Sequence, residues 1–311
     1  MNSPTPEPST YVHKSKPPAI LLVGEPGTGK TTSVVSFLEA GIEVFLVITD
    51  PGGEEALLDA AIDRGLDLSK IHWAYIPATA HKWATAENIY GRINSMSYES
   101  LGAIKVGVEK SEYKQAIRVM STLNNFVDQH GVSYGSVDQW GPDRALIIDS
   151  MTGMNKMFKR LVVGAKPTLH QGEWGTAMEA EEQFLDLLVG NTKCFLVVIA
   201  HLEKERDELT GGFKLMASFL GSKLAPKIPH MFSDVVMAKR EGDKFMWSTT
   251  ENNVALKART LPLSANIPPS FQQVVDGWKK REAAINAALA PKEESASVLT
   301  ESVAGNILNK N

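Results

Sequence analysis

The sequence predicts an α/β fold, a mostly parallel sheet with helices on both faces and a C-terminal antiparallel extension. Three observations carry that prediction. Short apolar runs at 19–23, 44–48, 71–76, 145–149 and 195–200 alternate with segments of helical spacing, the pattern of strands joined by crossover helices. The first run passes into GEPGTGKT at 24–31, a complete G-x-x-x-x-G-K-[ST] phosphate loop in the strand–loop–helix setting it requires. Polar residues, Asp50, Asp149 and His201, end three later runs, and ligands of a parallel sheet sit at the shared edge formed by its strand C-termini.

Taken in order, residues 1–16 are rich in Pro, Ser and Thr without periodicity and read as a disordered arm. The folded domain is expected over 17–289, with a polar, flexible tail at 290–311. A helix should start at Thr31 and run to residue 40, and another should span 54–64. Residues 81–140 exceed what a minimal α/β core needs and read as an insertion. Within it, Tyr113, Ala116, Ile117, Met120, Leu123 and Val127 recur at helical spacing, which predicts a helix over 112–129. The polar stretch 91–108 reads as a surface excursion, and 131–142 as a turn-rich connection. After the strand at 145–149 come a helix, a loop at 164–175 and a helix at 176–189 that turns Ala177, Ala180, Phe184, Leu187 and Leu188 to one face. The strand at 195–200 should end at His201 and feed a long loop, 202–230. Segments 235–239, 244–249 and 254–258 read as antiparallel strands, with a turn at Glu241-Gly242-Asp243. A helix over 270–289 closes the domain.

Composition narrows the function classes. A formal net charge of −4 excludes a surface that attracts nucleic acid as a whole, so any such contact must come from a local basic loop. Cys194 is the only cysteine, which rules out a disulfide within the chain and fits a reducing, cytoplasmic setting. The N-terminus lacks the apolar stretch of a secretion signal, and no run approaches membrane-spanning length.

The phosphate loop sets the chemistry. Gly24, Glu25, Pro26, Gly27, Thr28, Gly29, Lys30, Thr31 and Thr32 should cradle the phosphates of ATP. Backbone N–H groups and a helix N-terminus converge there. Lys30 should reach the β- and γ-phosphates, and the Thr31 hydroxyl should bind Mg²⁺ with Asp149 as its carboxylate partner. Asp50 and Glu54 are the carboxylates that could orient or activate an attacking water, Asp50 because its strand is expected beside the phosphate-loop strand. Both also suit plain local roles, a Pro-Gly-Gly turn and a helix start. His201 could hydrogen-bond the γ-phosphate and pass its presence to the following loop, or simply end a strand. Lys257 and Arg259 point the same way on a strand. They fit either finger cations for a phosphate in a neighbouring subunit or a solvated strand edge. Lys214, Lys223 and Lys227, interleaved with Phe213 and Phe219, could contact single-stranded nucleic acid by charge and base stacking. The alternative there is a solvated loop packed down on its apolar residues.

With these motifs together the chain resembles the RecA-like P-loop ATPases. More narrowly, it is similar to the phage-encoded AAA-type nucleotide-binding proteins built of a RecA core alone, a group that includes single-strand annealing proteins and minimal recombinases. The resemblance rests on GEPGTGKT at 24–31, TDPGG at 49–53, ALIIDS at 145–150, VVIAH at 197–201 and KAR at 257–259. It implies an oligomer with ATP at its subunit interfaces that binds single-stranded DNA, through the loops after Asp149 and His201, and promotes annealing or strand exchange. A single-strand-binding or other replication protein would be its partner. Most RecA-like proteins carry a glutamate after the second strand, and here Asp50-Pro51 stands in its place, which implies slow hydrolysis. Two other readings remain: a small-molecule P-loop kinase, and a nucleotide-gated scaffold in phage replication or packaging whose function lies in the 81–140 insertion and the tails.

Overall fold

The structure, a computed structural model, describes residues 14–77, 83–103, 113–164, 169–206, 213–221 and 224–289. Its strands are β1 (Ala19–Gly24), β2 (Glu43–Ile48), β3 (Ile71–Tyr75), β4 (Arg144–Asp149), β5 (Phe195–Arg206), β6 (Phe213–Ala217), β7 (Asp234–Glu241) and β8 (Lys244–Ser248). The sheet order is β3-β2-β4-β5-β1-β7-β8, and β6 pairs with the far end of β5. Every pairing from β3 through β7 is parallel, while β8 and β6 run antiparallel to their neighbours. The expected mostly parallel sheet with an antiparallel extension is therefore what the chain forms.

Alternation along β1 explains why the sheet needs two cores. Ala19, Leu21 and Val23 face one cluster, with α6 (Gln115–Asn124), α7 (Met151–Val163) and α8 (Gln171–Asn191). Ile20 and Leu22 face the other, with Val34 and Val35 just after α1 (Lys30–Ser33), and with α2 (Ser36–Glu39), α3 (Gly53–Asp63) and the start of α9 (Gln272–Leu289). A strand buried on both faces reads as a continuous apolar run, which is why these strands were legible. Two helices, α4 (Trp83–Ser95) and α5 (Tyr98–Ala103), occupy part of the insertion. The chain divides into two units, and the core just described is the unit from Lys16 to Trp278. In the other, which holds the chain from Lys279 onward, the Ser15 N–H donates to Glu282 Oε1 at 3.1 Å.

Several boundaries differ from expectation. The helix expected over 112–129 ends at Asn124, because the chain turns extended at Asn125. Phe126 then enters the core by pairing with a returning strand segment: its N–H donates to the Gly135 carbonyl and its own carbonyl accepts from Tyr134. Val127, Ile117 and Met120 are exposed, and Val119 takes their place on the buried face. Helix α8 starts at Gln171, inside the loop expected at 164–175, because the His170 N–H and the Glu173 carboxylate close a capping box. Leu187 is exposed on it, and Glu181 is buried instead. His201 does not end its strand. β5 runs on to Arg206 and returns as β6, so a hairpin replaces the first part of the expected loop. Residues 254–258 form no strand, only isolated bridges at Val254 and Lys257. The arm through residue 13, Lys223 and the tail from residue 290 lie outside the described residues.

Candidate nucleotide-binding site

The phosphate loop lies where β1 ends. Gly27 and Gly29 take positive φ, 74° and 76°, which lets the loop fold back on itself. A Cβ on Gly29 would also sit 3.1 Å from the Phe245 ring. Thr28 Oγ1 donates to the Glu25 carbonyl at 2.8 Å and closes the loop. Lys30 is 6% exposed. Its ammonium donates to the carbonyls of Gly24 at 2.9 Å and Glu25 at 2.8 Å. Burial pulls the Lys30 ammonium down to about 8, against the opposing charges of Asp149, Asp50 and Glu25. Thr32 follows on the first turn of α1, half-buried.

Asp149 ends β4, two strands from β1, and is 6% exposed. Thr31 Oγ1 donates to Asp149 Oδ2 at 2.6 Å. Burial raises the Asp149 carboxyl above its usual range, Thr31 opposes that, and the nearby Asp50 charge adds to it. The hydroxyl and the carboxylate expected to share a metal are thus in contact. Among the described residues no group of three His, Cys, Asp or Glu side chains could hold an ion by itself. One carboxylate, one hydroxyl and the phosphates of a nucleotide are the donor set that suits Mg²⁺.

Asp50 belongs to the same cluster, but not through strand adjacency. β4 and β5 stand between β2 and β1, and Asp50 arrives because parallel strands end at one edge. Ser150 Oγ donates to Asp50 Oδ2. Thr49 Oγ1 donates to the Ser150 carbonyl at 2.8 Å and accepts from the Ser150 N–H at 2.9 Å. Helix α7 approaches so closely that a Cβ on Gly153 would lie 2.2 Å from Thr49 Oγ1. Thr49 and Gly153 were not singled out from the sequence. Thr49 lies within the TDPGG motif, and the glycine's role depends on a contact a hundred residues away in the chain. Glu54 stands in the first turn of α3, whose start is near Asp149: a Cβ on Gly53 would be 3.7 Å from Asp149 Oδ2. Glu54 Oε2 is buried without a hydrogen-bond partner.

His201 pairs in register with Gly24, beside the loop. Burial and the Lys30 charge lower the His201 imidazole below its ordinary range, against Asp50 and the Gly24 backbone. Its Nδ1 is buried without a partner. The His201 N–H donates to Thr152 Oγ1 at 3.2 Å, and its carbonyl accepts from Ser218 at 2.8 Å. Ser218 Oγ donates to Glu203 at 2.5 Å and Asn155 Nδ2 donates to the Ser218 carbonyl at 3.0 Å, so a polar network underlies the β5–β6 hairpin. Sequence patterning did not reveal that network, because its members come from three separate stretches of the chain, α7, β5 and Ser218, that share no motif.

The remaining residues are elsewhere. Lys257 bridges Val235 at the start of β7, and Val235 lies beside Leu21, so Lys257 and Arg259 stand toward the opposite end of the sheet from the loop. The Lys257 ammonium donates to the Phe232 carbonyl at 2.7 Å. The Arg259 N–H donates to Asp234 Oδ1 at 2.8 Å. Neither side chain completes the site of its own chain. Lys214 is exposed on β6 beside exposed Phe213. Lys227 is instead paired with Glu182 at 3.2 Å, and Phe219 is a core residue.

A phosphate loop, a buried lysine, a hydroxyl and a strand-end carboxylate at one edge of a parallel sheet make up a P-loop core. The strand order places β5 between the loop strand and the carboxylate strand. No protein-family model matches the chain, and no curated protein does. Among solved structures it is similar to a prototypical ATPase from the type III secretion system of pathogenic bacteria, at 12% identity and a TM-score of 0.36, over 72% of this chain and 52% of that one. The chain thus spans about half the length of that ATPase. No helix among the described residues is long and apolar enough to cross a membrane.

Proposed function

We propose that this chain is a RecA-like ATPase of the phage type. It binds Mg–ATP on the 24–31 loop, hydrolyses it slowly, and couples the nucleotide state to single-stranded DNA in annealing or recombination. The observation that carries the reading is the Thr31–Asp149 contact at 2.6 Å beside a desolvated Lys30. Lys30 exchanges two loop carbonyls for the β- and γ-phosphates and neutralises their charge. Bound Mg²⁺, held by Thr31 and Asp149, would draw charge from the transferring phosphoryl group. Asp50, fixed by the Ser150 hydroxyl, orients the attacking water and takes its proton. Glu54 is the second carboxylate within that neighbourhood.

His201, with an open Nδ1, meets the γ-phosphate. Its carbonyl hydrogen bond to Ser218 carries the nucleotide state into the β5–β6 hairpin. Phe213, Lys214, Lys204 and Arg206 on that hairpin are the exposed groups that support a DNA contact. Lys257 and Arg259, remote from their own loop, support a role in a neighbour's site and hence self-association. The exposed aromatic residues of α4 and α5, Trp83, Tyr90 and Tyr98, favour a second reading in which the insertion holds a replication partner.

The test is ATP turnover with and without single-stranded DNA across protein concentrations. Stimulation by DNA and a rate that rises faster than linearly with concentration support the reading. Turnover indifferent to DNA removes the DNA assignment, and a rate per chain independent of concentration removes the in-trans cations. No heat on mixing with Mg–ATP in calorimetry would overturn the nucleotide assignment itself.

A further inference from the structure

The loop does not lie on an open sheet edge. Gly24, where β1 ends, is opposite His201 on one side and Ala238 on the other. β5 continues past that level to Arg206, and β7 continues to Glu241 before returning as β8. The phosphate loop is therefore the floor of a trough between two projecting hairpins.

The two walls differ in chemistry. Asp149, Asp50 and His201 gather on the β5 side, and they are the groups that suit a metal, a water and a γ-phosphate. A nucleotide whose terminal phosphate points that way sends its sugar and base toward the other wall. There Phe245 stands on β8, 41% exposed, with its ring 3.1 Å from where a Gly29 Cβ would be. Arg240, its cross-strand partner, lies over the ring with the guanidinium carbon 5.6 Å from the centroid. Arg240 Nε also donates to the Gly242 carbonyl at 2.8 Å, which fixes the hairpin turn. A large apolar ring left partly in water beside a phosphate loop gains burial and stacking when a flat aromatic ligand covers it.

Building on the nucleotide reading above, we infer that Phe245, backed by Arg240, is the platform for the nucleobase. The ligand class is a nucleoside triphosphate recognised by the face of its base. Stacking area is larger for purines, so ATP and GTP bind more tightly than CTP and UTP. Stacking on a face reads no base edge, so ATP and GTP bind with similar affinity.

The experiment compares Phe245→Ala, Phe245→Tyr and the unaltered full chain for Mg–ATP, Mg–GTP, Mg–UTP and Mg–tripolyphosphate by calorimetry. Phe245→Ala should weaken ATP and GTP about tenfold, with tripolyphosphate unchanged, and Phe245→Tyr should restore purine binding. Equal losses for ATP and tripolyphosphate would overturn the inference, since they would mean that Phe245 only supports the loop through Gly29. Unchanged ATP affinity in Phe245→Ala would overturn it too. If the unaltered chain binds neither ATP nor tripolyphosphate, the nucleotide assignment has failed. If it binds both with equal affinity, only the base platform has failed. A circular-dichroism melt of each variant separates any of these outcomes from misfolding.

Discussion

Two polar clusters stand at opposite ends of this sheet, and they differ in how far their hydrogen-bonding capacity is used. At the start of β3, Asp128 Oδ1 accepts from His130 and Val132 at 2.9 Å each. Its Oδ2 meets His72 Nδ1 at 3.1 Å and the Tyr134 hydroxyl at 3.4 Å. Burial would raise the Asp128 carboxyl, but Val132, His72 and His130 together hold it below its usual range. At the other end, Lys30 is pulled down, Asp149 is pushed up, and His201 Nδ1 and Glu54 Oε2 have no partner. Each cluster is built on a buried carboxylate, Asp128 or Asp149, and each contains a histidine. The first stabilises the fold because its charge is paired. The second costs stability, and a polyanion with its metal is what would offset that cost.

The sharpest way to break this contrast is Lys30→Ala. Removing the ammonium should cut ATP turnover about a hundredfold or more, while thermal unfolding of the free protein shows no loss of stability. A variant that unfolds easily would mean that Lys30 is a structural cation capping Gly24 and Glu25. Next comes Asp128→Ala, with the reverse signature. It strands two N–H groups and a hydroxyl, so urea unfolding should show a loss of about 2–3 kcal/mol, with ATP affinity unchanged in the folded protein. A normal midpoint together with impaired nucleotide binding would assign the two clusters the other way round.

A third test uses protons. Lys30 sits at about 8 when folded against an ordinary 10.5, so between those values the unfolded chain holds more protons at this position. Its contribution therefore raises stability as pH climbs from about 8 to 10.5, and the burden is full below about 8. Lys30→Met should flatten that part of the pH–stability curve. Phosphates favour the charged form, so Mg–ATP binding near pH 8 should take up protons, seen as a heat that varies with buffer ionisation enthalpy. An identical pH slope in Lys30→Met would show that the ammonium is not desolvated.

The ligand-facing cluster was the more legible of the two in the sequence. The phosphate loop is a local pattern, and Asp149 and Asp50 announce themselves by ending apolar runs. What could not be read was non-local. Asp50 was placed beside the loop strand, yet order β2-β4-β5-β1 separates them, because adjacency of parallel strands is settled by packing rather than by local sequence. His72, Asp128 and Tyr134 lie 56 and 6 residues apart with no shared motif, and the turn at Asn125 that joins them broke a helical period that seemed continuous. Phe245 carries no signal beyond β propensity until its ring is found against Gly29.

The same contrast between paired and unpaired groups orders the basic residues, with the smallest expected effects. Lys227 already has Glu182 at 3.2 Å and 3.3 Å, so using it on a phosphate means breaking that pair. Lys214 faces Glu205 across the β5–β6 register but forms no ion pair among the described residues, and exposed Phe213 adjoins it. Lys214→Ala should lower affinity for single-stranded DNA several-fold and reduce the salt slope by about one unit. Lys227→Ala should leave both nearly unchanged, and its effect on stability should stay within about 1 kcal/mol. Fluorescence anisotropy at several salt concentrations reads both variants together. A larger loss for Lys227 than for Lys214 would move the contact off the hairpin and onto the α8 side, and would separate DNA binding from the His201–Ser218 connection.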